Sequence, residues 1–332
     1  MGASIPEAME RAPTLRWRDA ALAVALFVLG VAVLEGVLAR RGIYAHPPST
    51  VRVWVEAYEG ALADPQGLAL IGSSRAALGF DPPVLSRTSG MTTYNLTING
   101  GNPIPVLERL VADGFAGTAL VEVMETRFFS ADLRGWEGSA SYLDQLDNPS
   151  LVAGVEDRLV RAVAGRFRTR SAAARLTAWI RLLPRGKLPG PPERSTRGDR
   201  FEVTDVSRID GPALDARWAH AASQVVPFPA ARQALVLDHL TDLSAQLGRG
   251  GGSIRWVRLP SSGKVGAIEE ATFPRAAAFD RVGAPETRWH FADDPSTAGL
   301  TCFDGSHLPP ASAVVLSAAL GRWIRAGHSA AD

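Results

Sequence analysis

Residues Ala20 to Ala39 read AALAVALFVLGVAVLEGVLA, an apolar run in which Glu35 is the single charged residue. About 20 residues at roughly 1.5 Å each are long enough to cross a hydrocarbon core of about 30 Å. The run has no polar face, so it lacks the one-sided stripe of a helix lying against a soluble core. It is therefore predicted to be a transmembrane helix. A secretory signal would be shorter and would end in small residues, whereas Leu38-Ala39-Arg40-Arg41-Gly42 is a poor cleavage site. The expectation is a tail over 1–19, an uncleaved anchor over 20–39 and one folded domain over 45–330. Glu35, close to the far end of the span, is expected to reach the headgroups. Arg11, Arg16 and Arg18 precede the run and Arg40 and Arg41 follow it, which leans slightly toward a cytoplasmic N-terminus. The expected location is the cell membrane, with a single pass and the folded domain outside the cytoplasm.

Composition excludes some partners and chemistries. The 35 Lys and Arg against 34 Asp and Glu leave a net charge of +1, without the basic excess of a nucleic-acid binder. The single cysteine, Cys302, rules out an internal disulfide. His46, His220, His239, His290 and His328 show no metal-like spacing. No metal and no cofactor are expected.

Past the apolar run, short apolar segments alternate with loops and helices. Strands are predicted at 67–71, 92–96, 118–124, 254–259 and 288–291. Helices are predicted at 51–62, 104–112, 211–222, 229–247 and 309–324. Strand, loop and helix in alternation give an α/β fold with a central, mostly parallel sheet and helices on both faces, a three-layer α/β/α arrangement. Ligands in such sheets sit at the carboxyl ends of strands. Residues 148–250 read as a helical insertion rich in Arg. Within it, 184–200 (PRGKLPGPPERSTRGDR) has no periodicity and is predicted to be a flexible surface loop with solvated charges. Asn95-Leu96-Thr97 matches a glycosylation sequon, but it overlaps a predicted buried strand.

Three short strings carry candidate chemistry. Gly72-Ser73-Ser74-Arg75 follows the first strand directly, so a serine hydroxyl and the N–H groups of a starting helix meet at the sheet edge. Asn99-Gly100-Gly101-Asn102-Pro103 follows the second strand, where glycine lets the backbone approach a substrate. Asp304-Gly305-Ser306-His307 precedes the last helix and spaces a carboxylate to orient an imidazole. Taken alone, the serine and Asp-x-x-His strings are better read as helix caps, and the Gly/Asn string can be a simple turn.

Taken in this order, the strings resemble the SGNH (GDSL-like) hydrolase superfamily, whose fold is flavodoxin-like. The resemblance implies Ser74 as nucleophile, with Asp304 and His307 completing a triad. It implies Gly100 and the Ser74 N–H as oxyanion donors, helped by Asn102 or Asn99. The superfamily's third block has an asparagine after the third strand, whereas this chain reads Val123-Met124-Glu125-Thr126-Arg127. Ser73 stands where the first block usually has Asp. The Gly-Ser-Ser-Arg form is similar to a membrane-tethered branch that adds or removes acyl groups on envelope polysaccharides, such as the alginate O-acetylation proteins. The implied partners are a carbohydrate or other acyl-ester substrate and, in the transferase case, a membrane acyl-transfer protein. Arg75, Asn99 and Arg127 are candidates for contacting it. The alternative is a non-catalytic scaffold or carbohydrate-binding subunit with the same fold, for which the missing asparagine is the argument.

Overall fold

The computed structural model describes residues 16–45, 50–131, 133–171, 174–188 and 190–329. The tail up to residue 15, with Arg11, and His46 lie outside them, as does the side chain of His328. The first helices are α1 (Trp17–Arg40), α2 (Val51–Ala63), α3 (Ser74–Gly79), α4 (Pro82–Ser89), α5 (Pro103–Ala112) and α6 (Glu125–Phe128). Then come α7 (Leu133–Asp147), α8 (Leu151–Ala164), α9 (Leu176–Leu182), α10 (Gly211–Ser223), α11 (Ala230–Arg249), α12 (Gly263–Thr272) and α13 (Pro310–Ser329). The strands are β1 (Leu68–Ile71), β2 (Thr93–Asn95), β3 (Thr118–Glu122), β4 (Arg194–Thr196), β5 (Glu202–Thr204), β6 (Ser253–Arg258) and β7 (Arg288–His290). The chain forms two compact units, Met1–Ala45 with Val163–Pro191, and His46–Ala162 with Pro192–Asp332.

In the larger unit, five strands pair in the order β2-β1-β3-β6-β7, every pairing parallel. Leu68 lies opposite Thr93 on one side and Thr118 on the other. Every residue of β1 and β3 is buried, as expected for parallel strands covered on both faces. Their side chains alternate between two apolar cores. Ala69, Ile71, Ala119, Val121, Ile254 and Trp256 join the core built with α2, α5 and α11. Leu68, Leu70, Leu120 and Val257 join the core built with α3, α4 and α13. The sheet is thus flanked by helices, and the carboxyl ends of β1 and β2 lead into the loops that carry the Gly72–Arg75 and Asn99–Pro103 strings.

Two expectations on 148–250 need correction. Helix α11 is part of the main core, because Leu237, Leu240, Leu243 and Leu247 line one of its faces and are buried against the sheet's cluster. Residues 163–191 pack instead with the N-terminal helix. The end of segment 184–200, from Arg194 on, is built into the fold. β4 pairs antiparallel with β5, Thr196 opposite Glu202. Arg200, at the turn with φ of 67°, is buried and donates to the carbonyls of Asn95 (3.2 Å) and Thr97 (2.9 Å). Arg197 pairs with Asp81 at 3.0 Å and with Asp199 at 2.6 Å. The contacts with Asp81, Asn95 and Thr97 reach more than 100 residues back along the chain, so no local periodicity announces them. Asn95 of the sequon is buried, its side chain bound to Thr97 and to the carbonyl of Asp199.

In the smaller unit, α1 is the one helix among the described residues that is long and apolar enough to cross a membrane. Its 24 residues extend about 36 Å. Near its C-terminal end, Leu38 and Ile43 are buried with Ala174, and Leu34 and Trp179 pack around them. Glu35 finds its partners within the chain. Its carboxylate accepts hydrogen bonds from the backbone N–H groups of Arg168 (2.9 Å) and Thr169 (2.8 Å) and from the Thr169 hydroxyl. A charge in an apolar helix is thereby matched by three donors.

Candidate active site

The turn after β1 is shaped by close packing. A Cβ on Gly72 would lie 2.3 Å from the Ala76 Cβ and 2.7 Å from the Glu122 carboxylate, so only glycine fits. That carboxylate, at the end of β3, accepts the Ser73 N–H at 2.6 Å. The Ser73 hydroxyl accepts the N–H of Arg75 and caps α3. Ser74 becomes the first residue of α3, half-buried, at the carboxyl edge of the sheet.

The loop before α13 closes on itself, with the Phe303 N–H donating to the carbonyl of His307 at 3.0 Å. Gly305, at φ of 79°, could carry no side chain, because a Cβ would sit 2.2 Å from an Asp215 carboxylate oxygen on α10. In this loop Asp304 Oδ1 accepts the N–H groups of Ser306 (3.1 Å) and His307 (2.8 Å). Asp304 Oδ2 lies 2.8 Å from His307 Nδ1, and His307 Nε2 lies 2.9 Å from Ser74 Oγ. The carboxylate calls for hydrogen on Nδ1, which leaves Nε2 to accept the serine proton. Asp304 and His307 are 1% and 5% exposed, so the pair works largely away from water. Burial alone would push the Asp304 carboxyl up. The bonds from His307 and the two backbone N–H groups outweigh it and hold the group below the usual carboxylate value.

Trp218, on α10, adds a donor that the sequence does not advertise. Its Nε1 donates to Asp304 Oδ2 at 3.3 Å, and its ring meets the His307 ring edge-on at 6.3 Å between centroids. Phe303 lies against the imidazole from another direction, also at 6.3 Å.

The other residues singled out in the sequence take different places. Arg75 does not face a substrate. It is 4% exposed, donates from Nε to Ser306 Oγ at 2.9 Å and grips both oxygens of Glu269. Glu269 also accepts from Arg258 at 2.9 Å, and Arg258 donates to Glu125 at 2.8 Å. This buried cluster ties the residue after Ser74 to the loop between Asp304 and His307. Asn102 is not an oxyanion donor. Its side chain caps α5 by accepting the Ile104 N–H and donates to the carbonyl of Arg127, as an Asn-Pro pair at a helix start commonly does. Asn99 is exposed and reaches Glu202 on β5 at 3.1 Å. Gly100 sits at an exposed loop tip with φ of 75° and open space around it. Arg127 is half-buried in α6.

No cluster of three or more His, Cys, Asp or Glu able to hold a metal ion occurs among the described residues. His290 accepts the Ala292 N–H, and burial lowers its pKa to about 4. Burial pushes the Cys302 thiol up to about 12.

No protein-family model matches the chain. No curated protein and no solved structure matches it at a significant level.

Proposed function

We propose that the protein is a membrane-anchored serine ester hydrolase or O-acyltransferase of the SGNH type, acting on an acylated envelope carbohydrate or a similar ester. The reading takes the flanked sheet as the three-layer α/β/α arrangement of that superfamily. It takes α1 as a single-pass anchor, with the larger unit outside the cytoplasm. The observation that carries it is the continuous hydrogen-bonded line from the Ser74 hydroxyl through His307 to Asp304. The two ends of that line are 230 residues apart along the chain.

In this mechanism His307 Nε2 takes the hydroxyl proton as Ser74 Oγ attacks the ester carbonyl. Asp304 steadies the imidazolium. The N–H groups of Ser74 and Gly100 receive the developing oxyanion. The same proton passes to the departing alcohol, leaving an acyl-serine. Water, or a sugar hydroxyl in the transferase case, then gives its proton to His307 and releases the acyl group. A serine-reactive fluorophosphonate is expected to label the purified protein at Ser74, and Ser74→Ala to abolish labelling and turnover of p-nitrophenyl acetate. Equal labelling of the Ser74→Ala variant would refute the assignment.

Trp218 gives a second check on the same reading. Trp218→Phe keeps an aromatic ring and removes the donor to Asp304. A hydrogen bond to a charged group is worth about 1.5–3 kcal/mol. At 3.3 Å this bond lies at the weak end. The labelling rate is expected to fall by up to about tenfold, and the thermal midpoint by roughly 3–6 °C. An unchanged rate would mean that the indole only packs.

A further inference from the structure

Residues 163–191 contain no Asp or Glu but seven Arg or Lys. Arg168 is drawn to Glu35 of α1. The other six, Arg166, Arg170, Arg175, Arg181, Arg185 and Lys187, are all exposed. Between them the segment exposes large apolar side chains: Ile180 at 64%, Leu183 at 52%, Leu188 at 43% and Phe167 at 41%. Water alone gives no reason to keep such a mixture exposed. The segment is also fixed in place. It joins the C-terminal end of α1 through Ala174, packed on Leu38 and Ile43, and through the three donors on Glu35. Exposed Trp17 and Tyr44 flank α1 at its two ends, the positions at which aromatic rings mark the two faces of a bilayer.

We infer that residues 163–188 form a collar that lies on the membrane surface where α1 leaves the bilayer, with its apolar side chains inserted and its arginines on anionic headgroups. The inference rests on reading α1 as a membrane anchor and is independent of the catalytic assignment. Three observations select an anionic lipid surface as the occupant. The segment's basic charge is uniform. Its apolar and basic side chains alternate, as in helices that lie in the headgroup plane. It is attached at the end of the one helix fit to cross a bilayer. Each Lys or Arg near such a surface strengthens binding roughly fivefold, so the six basic side chains make the contact depend on anionic lipid.

The test uses the full chain, with Cys302→Ser as background, in vesicles of phosphatidylcholine with or without phosphatidylglycerol. Nitroxide labels are placed one at a time at Ile180→Cys, Leu183→Cys and, within α1, Val28→Cys. Accessibility to oxygen and to a water-soluble nickel chelate is read by electron paramagnetic resonance. The expected result is a lipid-immersed label at 180 and 183 with phosphatidylglycerol, reverting toward water without it, and an immersed label at 28 in both. Adding Arg181→Gln and Arg185→Gln should lower the immersed fraction at 183 relative to the exposed one by more than about tenfold. Water-exposed labels at 180 and 183 beside an immersed label at 28 would overturn the collar and leave the anchor standing. A water-exposed label at 28 would overturn both. Equal immersion in neutral vesicles would overturn the anionic contact.

Discussion

Asp304→Asn is expected to slow both ester turnover and fluorophosphonate labelling by about 10⁴-fold while leaving the fold intact. The reason lies in the four N–H donors that Asp304 accepts. Oδ1 takes two backbone N–H groups, and Oδ2 takes His307 Nδ1–H and the Trp218 indole. An asparagine has one acceptor and one donor group. With its oxygen toward the two backbone donors, its NH₂ faces His307 and drives the imidazole hydrogen from Nδ1 to Nε2. Nε2 then donates to Ser74 Oγ and can no longer take its proton. The reversed amide would put NH₂ against two backbone N–H groups, which is worse. A loss of less than tenfold, with Ser74 still the labelled residue, would sink the orienting role given to Asp304. Circular dichroism and the thermal midpoint separate loss of chemistry from loss of structure.

The Ser74, His307 and Asp304 arrangement was legible only from the order of three short strings and their resemblance to a known superfamily, because the serine and the imidazole lie 233 residues apart along the chain. Asp304 and His307 sit three residues apart before a helix, and Ser74 sits in a Gly-Ser-Ser turn after an apolar strand. Both strings report backbone geometry, and backbone geometry follows from nearby residues. The strands were legible for the same reason, since LALI and TALVE are buried on both faces and read as continuous apolar runs. What failed was the assignment of side chains whose fate depends on distant partners. Arg75 reads as a surface cation beside a nucleophile, yet Glu269, 194 residues away, draws it inside. Asn102 reads as a donor in a Gly/Asn loop, yet Pro103 after it already marked a helix cap. Trp218 has no neighbour in sequence that hints at Asp304. The order in 194–204 comes from Arg197 and Arg200 reaching Asp81, Asn95 and Thr97. A composition of Pro, Gly and charge cannot reveal that.

The second large effect is expected at Glu269, which lies outside the proposed triad. It is 4% exposed and lies between two guanidinium groups, Arg75 and Arg258. Burial alone would push its carboxyl up, but the two cations outweigh burial and hold it at about 2. Glu125 has only Arg258 as a close partner and feels the charge of Glu269, so burial wins and pushes it up. Glu269→Leu strands Arg75 without a carboxylate, and removing one partner of a buried pair costs about 3–5 kcal/mol. The thermal midpoint should fall by roughly 10 °C. The sign with pH follows from the depressed value. The stabilisation is full above the ordinary carboxylate value of 4.5 and is lost as pH falls from there toward 2. The gap between wild type and variant should therefore be widest near neutrality and close on acidification through that window. Adding Arg75→Met removes the stranded charge, and an apolar pair of similar volume tolerates burial better than one unpaired cation. The double variant is expected to regain more than half of the loss. No recovery, or a gap that stays constant between pH 5 and pH 2, would mean that packing rather than charge makes Glu269 matter.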